Sequence, residues 1–273
     1  MVEFNVAING TQIPIQPELQ FGMEYYYQRV KEWNITNHNA AVFYQFKIKG
    51  NKPKTVNVIP DGCIDILFRC DQTNPDAVFF GRRTKPRKII LQPGIEYFGF
   101  RPFSDKGIRK LNYSLLELLD QKERLNEVVP NSRIIEEICN PKPFNCRIDE
   151  FQNFANNYLI DHSYSPDYTE LCEQEICLFK GAINIEMVSQ KLCYSSRYLR
   201  KKFKEAFGIS PKKYGQILKF QNVLHMLVDP KNNRLLDVAF ESGYYDHSHF
   251  IREFKNLTNI TPSEYKSKIL AKF

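Results

Sequence analysis

A short segment in the last third of the chain occurs twice, 51 residues apart. The first copy, FKEAFGISPKKY, begins at Phe203, and the second, FKNLTNITPSEY, begins at Phe254. Five of the twelve positions are identical, and a sixth pairs Ser210 with Thr261. The matches fall on an aromatic anchor, a lysine, an isoleucine, a proline and a tyrosine. Such a repeat predicts one supersecondary unit built twice.

Each copy predicts two helices joined by a tight turn. In the first, an amphipathic stripe over 185–192 precedes Ser195, a good N-cap for a second helix that ends at Gly208. In the second, Asp246 caps the second helix, and Asn259 takes the place of Gly208 because asparagine also accepts a left-handed backbone. The sequence therefore predicts two helix-turn-helix units. A long helix after Ser210 joins them.

The outward face of each second helix is polar and rich in cations. The first helix carries five cations in the eight residues RYLRKKFK, before its first acid. Such a helix suits the major groove of DNA, where Arg and Lys can read guanine edges. The candidate DNA-binding residues are Ser196, Arg197, Arg200, Lys201 and Lys204 in the first unit and His247, Ser248, Ile251, Arg252 and Lys255 in the second.

The charge of the chain is concentrated in the part that carries the repeat. Residues 180–273 hold 17 Lys and Arg against 8 Asp and Glu, which is +9. The other 179 residues hold 21 against 23, which is −2. This distribution indicates a surface for polyanions.

With these residues the chain resembles the AraC/XylS family of bacterial transcription regulators over roughly 166–270. SSRYLRKKFKEAFGISPKKY is similar to the family's first recognition helix and turn, and DVAFESGYYDHSHFIREFKNLTNITPSEY to its second unit. Departures are Ser189 where alanine is usual, Cys193 and Asn259 where glycine is usual, and Lys219-Phe220 for Arg-Leu. The resemblance implies seven helices and binding to promoter or operator DNA. RNA polymerase and a second copy of the chain are candidate further partners.

The N-terminal part predicts a β-rich domain over residues 1–104. Six short segments separated by turn residues read as strands: AAVFYQFKI, TVNVIP, CIDILFRC, AVFFG, KIILQPG and YFGFRPF. Their spacing favours an antiparallel β-barrel or double-sheet roll of the cupin-like kind. Residues 105–165 predict helices in SLLELLDQKERLNEVV and RIDEFQNFANNYLIDH. The family resemblance implies that this helical linker supports dimer contacts. The expected fold class is thus α+β, with an all-α DNA-binding domain over 166–273.

The segment VIPDGCIDILFRC resembles a barrel domain found in a subset of these regulators. That resemblance implies a domain that senses a small molecule or another signal. We interpret Asp61-Gly62 as the turn into a buried strand. Cys63 has no identifiable base to activate it, so we assign no catalytic residue. The basic run Arg82–Lys88 is interpreted as a solvated loop, with contact to DNA phosphates or an acidic ligand as the alternative.

Several kinds of site and location are not expected. The seven cysteines contain no Cys-x-x-Cys pair, so we expect free thiols, no metal site and no cofactor. There is no apolar run of about 18 residues and no signal-peptide pattern, which favours a cytoplasmic protein without a membrane partner. Two alternatives stay open: a DNA-binding module coupled to an enzymatic cysteine domain, and a nonspecific architectural DNA binder.

Overall fold

The computed structural model describes residues 7–8, 11–20, 23–34, 39–105, 107–108, 110–129, 133–163, 165, 167–228 and 235–270. Strands dominate the first part of the chain, and helices the second. The strands are β1 (Ala7–Ile8), β2 (Thr11–Gln12), β3 (Met23–Asn34), β4 (Asn39–Ile48), β5 (Lys54–Val58), β6 (Asp65–Cys70), β7 (Asp76–Phe80), β8 (Arg87–Leu91), β9 (Glu96–Pro102) and β10 (Lys122–Arg124).

One short helix lies among the strands, and the other helices follow the last strand, β10. The first four are α1 (Pro17–Gln20), α2 (Leu125–Val128), α3 (Ile134–Cys139) and α4 (Phe144–Phe154), and a π-helical turn over Ala155–Leu159 follows α4. The remaining seven are α5 (Tyr168–Leu178), α6 (Ile185–Lys191), α7 (Ser196–Phe207), α8 (Pro211–Val228), α9 (Leu235–Glu241), α10 (His247–Thr258) and α11 (Pro262–Leu270). The predicted α+β fold class is confirmed.

The main sheet has six antiparallel strands in the order β10-β7-β6-β9-β4-β3. Strands β5 and β8 form a separate antiparallel pair, as do β1 and β2. Within the described residues the six-stranded sheet does not close on itself. An open double-sheet arrangement therefore describes this part of the chain, and a closed barrel does not.

Both faces of the main sheet are buried. Phe43 and Phe98 lie on one face and pack with Phe151 of α4. On the other face, Tyr44 and Phe46 share a core with residues of the β5–β8 pair. Neighbouring residues of β4 thus point to opposite sides, as the period of a strand requires. Because both sides of the central strands β4, β6, β7 and β9 are apolar, these four strands are nearly continuous hydrophobic runs.

All six strands predicted from the sequence are present, but the helix predicted over 114–129 is wrong. Residues 115–120 are turns, Lys122–Arg124 form β10, and only Leu125–Val128 are helical. Strand β10 pairs with the open edge of β7. Backbone hydrogen bonds to that edge replace those that the helix would have made. The predicted helix over 147–162 corresponds to α4 and the π-helical turn.

The last seven helices form two adjoining cores. Leu199 and Phe203 of α7 lie in the first core, and Phe250 and Phe254 of α10 lie in the second. Helix α8 contributes to both cores and, with 18 residues, is about 27 Å long. It therefore joins two helix-turn-helix units, α6–α7 and α9–α10, as predicted.

The strand-rich part packs directly on the second unit. Ile15 and Ile59 are buried in the same core as α8 and α10. The side chain of Gln221 on α8 accepts a hydrogen bond from the Ile15 backbone N–H, at 2.8 Å. It also donates to the carbonyl of Pro60, again at 2.8 Å. These buried contacts bind the two parts of the chain to each other.

Candidate nucleic-acid interface

The ends of α7 and α10 are fixed by the residues that the sequence predicted. Ser195 Oγ accepts from the Tyr198 N–H at 3.2 Å, and the Asp246 carboxylate accepts from the His249 N–H at 2.7 Å. Gly208 and Asn259 close the two helices in the left-handed conformation, with φ of 78° and 66°. Both N-caps and both C-caps are confirmed.

The turns within the two units also need a left-handed residue. Cys193 has a φ of 57° in the first turn, and Gly243 has a φ of 74° in the second. An L-residue with a side chain pays about 1–2 kcal/mol for this conformation. The backbone of Cys193 in the first turn is therefore strained. The equivalent position of the second turn is not strained, because Gly243 has no side chain.

The outward face of α7 carries the predicted cations. Arg197, Arg200, Lys201 and Lys204 are exposed, and Ser196 is half-buried. The opposite side of the helix is buried in the first core through Leu199, Phe203 and Phe207. A helix held on its apolar side in this way can present its cations to a groove.

Some of these cations have partners within the protein. The Arg200 guanidinium pairs with the carboxylate of Glu186 on α6. Glu205 Oε2 lies 2.8 Å from Lys202 Nζ, and Glu205 Oε1 lies 3.9 Å from Lys201 Nζ. Arg197 and Lys204 form no ion pair with any residue that the structure describes. Within the described part of the chain, these two cations are thus unpaired, whereas Arg200 is held by Glu186.

Helix α10 presents a second, less charged face. His247, Ser248, Arg252 and Lys255 are exposed. Ile251 is half-buried and packs against the second core, so only part of its side chain lies on the outward face. His249 Nε2 lies 3.5 Å from Glu253 Oε2 on the same helix. In the described part of the chain, no three His, Cys, Asp or Glu side chains are grouped to hold a metal ion.

Three tyrosines beside the start of α7 were not predicted as part of this surface. The ring centroids of Tyr168 and Tyr194 are 4.5 Å apart, and those of Tyr194 and Tyr198 are 5.6 Å apart. The hydroxyls of Tyr168 and Tyr198 are 3.0 Å apart, and this hydrogen bond raises the pKa of Tyr168 to about 12. Because Tyr194 and Tyr198 are exposed, their hydroxyls can reach phosphates. In the sequence, the position of Tyr198 directly after Arg197 could have indicated that a tyrosine belongs to this surface.

Lys219 on α8 holds the turn of the second unit. Its Nζ donates to the Gly243 carbonyl at 2.6 Å and lies 3.8 Å from the centroid of the Tyr244 ring. Burial lowers the pKa of Lys219. The side chain that replaces the family's usual arginine thus fixes the turn that precedes α10.

Arg82 connects the strand-rich part to the end of α7. Its guanidinium donates to the carbonyls of Gly62, at 2.8 Å, and Phe207, at 2.9 Å, and to Asp105 Oδ1, at 2.8 Å. Arg82 and its neighbour Arg83 are only 3% and 5% exposed. The interpretation of this run as a solvated loop is wrong for these two residues. Hydrogen bonds and Asp105 compensate the burial of the Arg82 cation.

A second such contact reaches the end of α10. Asn57 Nδ2 donates to the Thr258 carbonyl at 3.2 Å. A side chain of the strand-rich part thus binds a carbonyl in the last turn of each recognition helix. Donors near a helix C-terminus satisfy carbonyls that have no partner within the helix. No local pattern in the sequence indicated these two contacts.

The PDGCID segment lies in the interior between these contacts. Gly62 has a φ of 82°, and Asp61 Oδ1 accepts from the Cys63 N–H at 3.1 Å, as expected of a turn into β6. The Asp65 carboxylate accepts from Tyr44 OH at 2.7 Å and pairs with Arg101. Burial and the nearby Asp61 carboxylate raise the pKa of the Cys63 thiol. The segment thus builds a buried polar network around a thiol that is not activated.

Residues 188–268 match a family model described as a helix-turn-helix domain. The chain is 24% identical over 155 residues to the uncharacterized HTH-type transcriptional regulator YtdP of Bacillus subtilis, covering 53% of this chain and 19% of YtdP. It is 25% identical over 88 residues to the HTH-type transcriptional activator RhaS of Escherichia coli, covering 32% of this chain and 31% of RhaS. The chain thus spans less than a third of the length of these relatives.

Among solved structures, the chain is similar to ToxT from Vibrio cholerae. The likeness covers 88% of this chain and 100% of ToxT, with 15% sequence identity and a TM-score of 0.45.

The matched residues 188–268 run from within α6 into α11 and include both helix-turn-helix units. No helix among the described residues is long and apolar enough to cross a membrane. The caps, the turns and the repeated core agree with the resemblance seen in the sequence. Residues 188–268 thus carry a helix-turn-helix domain, and over part of its length the chain is similar to HTH-type transcriptional regulators.

Proposed function

We propose that the chain is a sequence-specific regulator of transcription that places α7 and α10 in adjacent major-groove segments of a promoter or operator. The observation that carries the proposal is the pair of capped helices, each buried on one side and polar on the other. Successive major-groove segments on one face of a duplex are about 34 Å apart. Helix α8, at about 27 Å, gives the two units a separation of the same order.

The proposed roles of the outward residues follow from their chemistry. Arg200 and Arg252 read base edges, because a guanidinium can bond guanine through two atoms. Lys204 and Lys255 bind phosphates. The other candidates contact neighbouring bases or the DNA backbone; they are Ser196, Arg197, Lys201, His247, Ser248 and Ile251.

The proposal divides the chain into three parts. Residues 1–104 sense a signal or small molecule, 105–165 support contacts with a second copy, and 166–273 bind DNA. RNA polymerase is the expected partner at a promoter. We also propose that the chain has no catalytic activity of its own, which the raised pKa of the Cys63 thiol supports.

The test is duplex binding by the full chain after selection of its preferred sequence from a random pool. We expect the selected duplex to bind about 10³-fold or more tightly than a random one. Arg200→Ala and Arg252→Ala should each cost about 1–3 kcal/mol and relax preference at a few base pairs. Lys204→Ala and Lys255→Ala should instead lower the salt dependence at unchanged preference.

A matched control is Lys142→Ala, since Lys142 pairs with Glu150 on α4, away from both units. It should leave binding unchanged. Equal affinity of the wild-type chain for selected and random duplexes would favour the architectural alternative. Unchanged preference in both arginine variants would show that the readout face is assigned wrongly.

A further inference from the structure

A cleft of about 390 Å³ lies between the strand-rich part and the second helix-turn-helix unit. Its walls come from α1, β5 and β8 on one side and from the end of α10 and α11 on the other. The residues that matter for its chemistry are Glu18, Asn57, Lys88, Ile260, Tyr265 and Lys268. A volume of this size is within the range of small-molecule sites.

Two polar groups of this cleft are buried without a partner. Tyr265 is 6% exposed, and its hydroxyl has no hydrogen-bond partner among the described residues. The same holds for Asn57 Oδ1, although Asn57 Nδ2 and the Asn57 N–H are both bonded. A buried polar group without a hydrogen-bond partner destabilises the folded state, so such groups are uncommon in folded proteins. The cleft thus offers one donor and one acceptor to a ligand.

The charges around the cleft favour an anion. Lys88 and Lys268 line it from opposite sides, and Glu18 is the acidic residue of the lining. The Glu18 carboxylate already accepts from the Asn57 N–H at 2.6 Å. One positive charge is therefore in excess, and Pro17, Ile59 and Ile260 supply apolar walls.

We propose that this cleft binds a small organic acid with an apolar body and an N–H or O–H donor. Its anionic group lies toward Lys88 and Lys268. The N–H or O–H group of the ligand donates a hydrogen bond to Asn57 Oδ1. An acceptor atom beside the apolar body of the ligand accepts a hydrogen bond from the Tyr265 hydroxyl. Burial and the nearby Glu18 carboxylate raise the pKa of Tyr265, which keeps the phenol neutral and able to donate.

The position of the cleft links a bound ligand to the second recognition helix. Asn57 Nδ2 donates to the Thr258 carbonyl, and Thr258 Oγ1 donates to the Phe254 carbonyl at 2.8 Å. A ligand that bonds Asn57 and Tyr265 thus acts on the last turn of α10 and the start of α11. This consequence rests on the proposed function, because it requires α10 to contact DNA.

The experiment uses the full chain and N-acetyl-L-leucine as the probe, with the uncharged N-acetyl-L-leucine amide as its matched control. Binding is measured by calorimetry without DNA. We expect saturable binding of the acid, and binding at least about tenfold weaker for the amide and for the Lys268→Gln variant. Tyr265→Phe should bind the acid about tenfold more weakly while its melting temperature without probe stays the same or rises, since the lost hydroxyl has no partner.

Two control variants lie outside the cleft. Tyr245→Phe changes an exposed tyrosine, and Lys52→Gln changes an exposed lysine, so neither should alter probe binding. No binding of the acid up to about 10 mM, equal binding of acid and amide, or unchanged binding in Tyr265→Phe would each overturn the proposal.

The link to DNA is measured separately, with the selected duplex and the same probe. The acid should change the duplex affinity of the wild-type chain and not that of Tyr265→Phe. If the probe binds but no duplex is preferred, the regulator function fails while the ligand site stands. If the duplex is bound specifically but the probe is not, only the ligand site fails.

Discussion

At the scale of single residues, the two helix-turn-helix units differ most at their left-handed positions. Cys193 occupies such a position with a φ of 57°, whereas Gly243 and Gly208 occupy theirs without strain. The sequence already marked Cys193 as a departure from glycine. Its backbone angle explains why glycine is usual there.

We therefore predict that Cys193→Gly stabilises the chain by about 0.5–1 kcal/mol. Relief of the left-handed strain exceeds the extra entropy of glycine in the unfolded chain. The measurement is urea denaturation. Asn259→Gly is the matched control and should gain less, because asparagine tolerates the left-handed conformation. A loss of stability in Cys193→Gly would contradict this account of the turn.

The ion pair between Arg200 and Glu186 opposes DNA binding in the proposed function. Glu186 neutralises a base-reading cation and brings a carboxylate close to the phosphates. We predict that Glu186→Gln tightens binding to the selected duplex about two- to fivefold, as expected for an exposed ion pair. The measurement is a duplex titration at low salt. Glu150→Gln on α4 is the control, and unchanged or weaker binding by Glu186→Gln would exclude this role.

At the scale of elements, the sequence predicted strands β4 to β9, which are short segments of β-branched and aromatic residues bounded by turn residues. It missed β3, a 12-residue strand at the edge of the sheet. Glu24, Gln28, Lys31 and Glu32 interrupt the apolar pattern of β3, since an edge strand is less enclosed than a central one. It also missed β10, because that strand is defined by its pairing with β7 and not by its own composition.

The contact between Arg82 and the end of α7 should be a major source of stability. Arg82→Ala removes the hydrogen-bond partner that the buried Asp105 Oδ1 has among the described residues, and we predict a loss of about 3–5 kcal/mol. The measurement is urea denaturation followed by circular dichroism. Replacing both charges, with Arg82→Met and Asp105→Asn, should recover much of the loss. A loss below about 1 kcal/mol in Arg82→Ala would mean that this contact is not formed in solution.

At the scale of the whole molecule, the two helix-turn-helix units could be predicted from the sequence, and their attachment to the strand-rich part could not. The two units repeat a local pattern of caps, stripes and prolines that can be read within each unit. The attachment joins residues far apart in the chain, such as Ile15 and Gln221. Such contacts leave no periodic signal in the sequence. The burial of Arg82 and Arg83 could not be predicted either, since a run of charged residues normally indicates an exposed loop.

The same limit applies to the candidate site. The outward residues of α7 and α10 follow from helical spacing and are exposed as expected, apart from Ser196 and Ile251, which are half-buried. The contacts made by Arg82 and Asn57 depend on how two separate parts of the chain meet. They place the strand-rich part in direct contact with both recognition helices. In the proposed function, these contacts give a signal that reaches the strand-rich part a short structural route to α7 and α10.

The most direct test of the whole account is guanine-methylation interference with the full chain on its selected duplex. We predict two patches of guanines whose methylation blocks binding, on one face of the duplex and with centres about 10–10.5 base pairs apart. Arg200→Ala should erase one patch, and Arg252→Ala the other. A single patch, or the loss of both patches in either variant, would contradict the claim that two helices enter adjacent grooves.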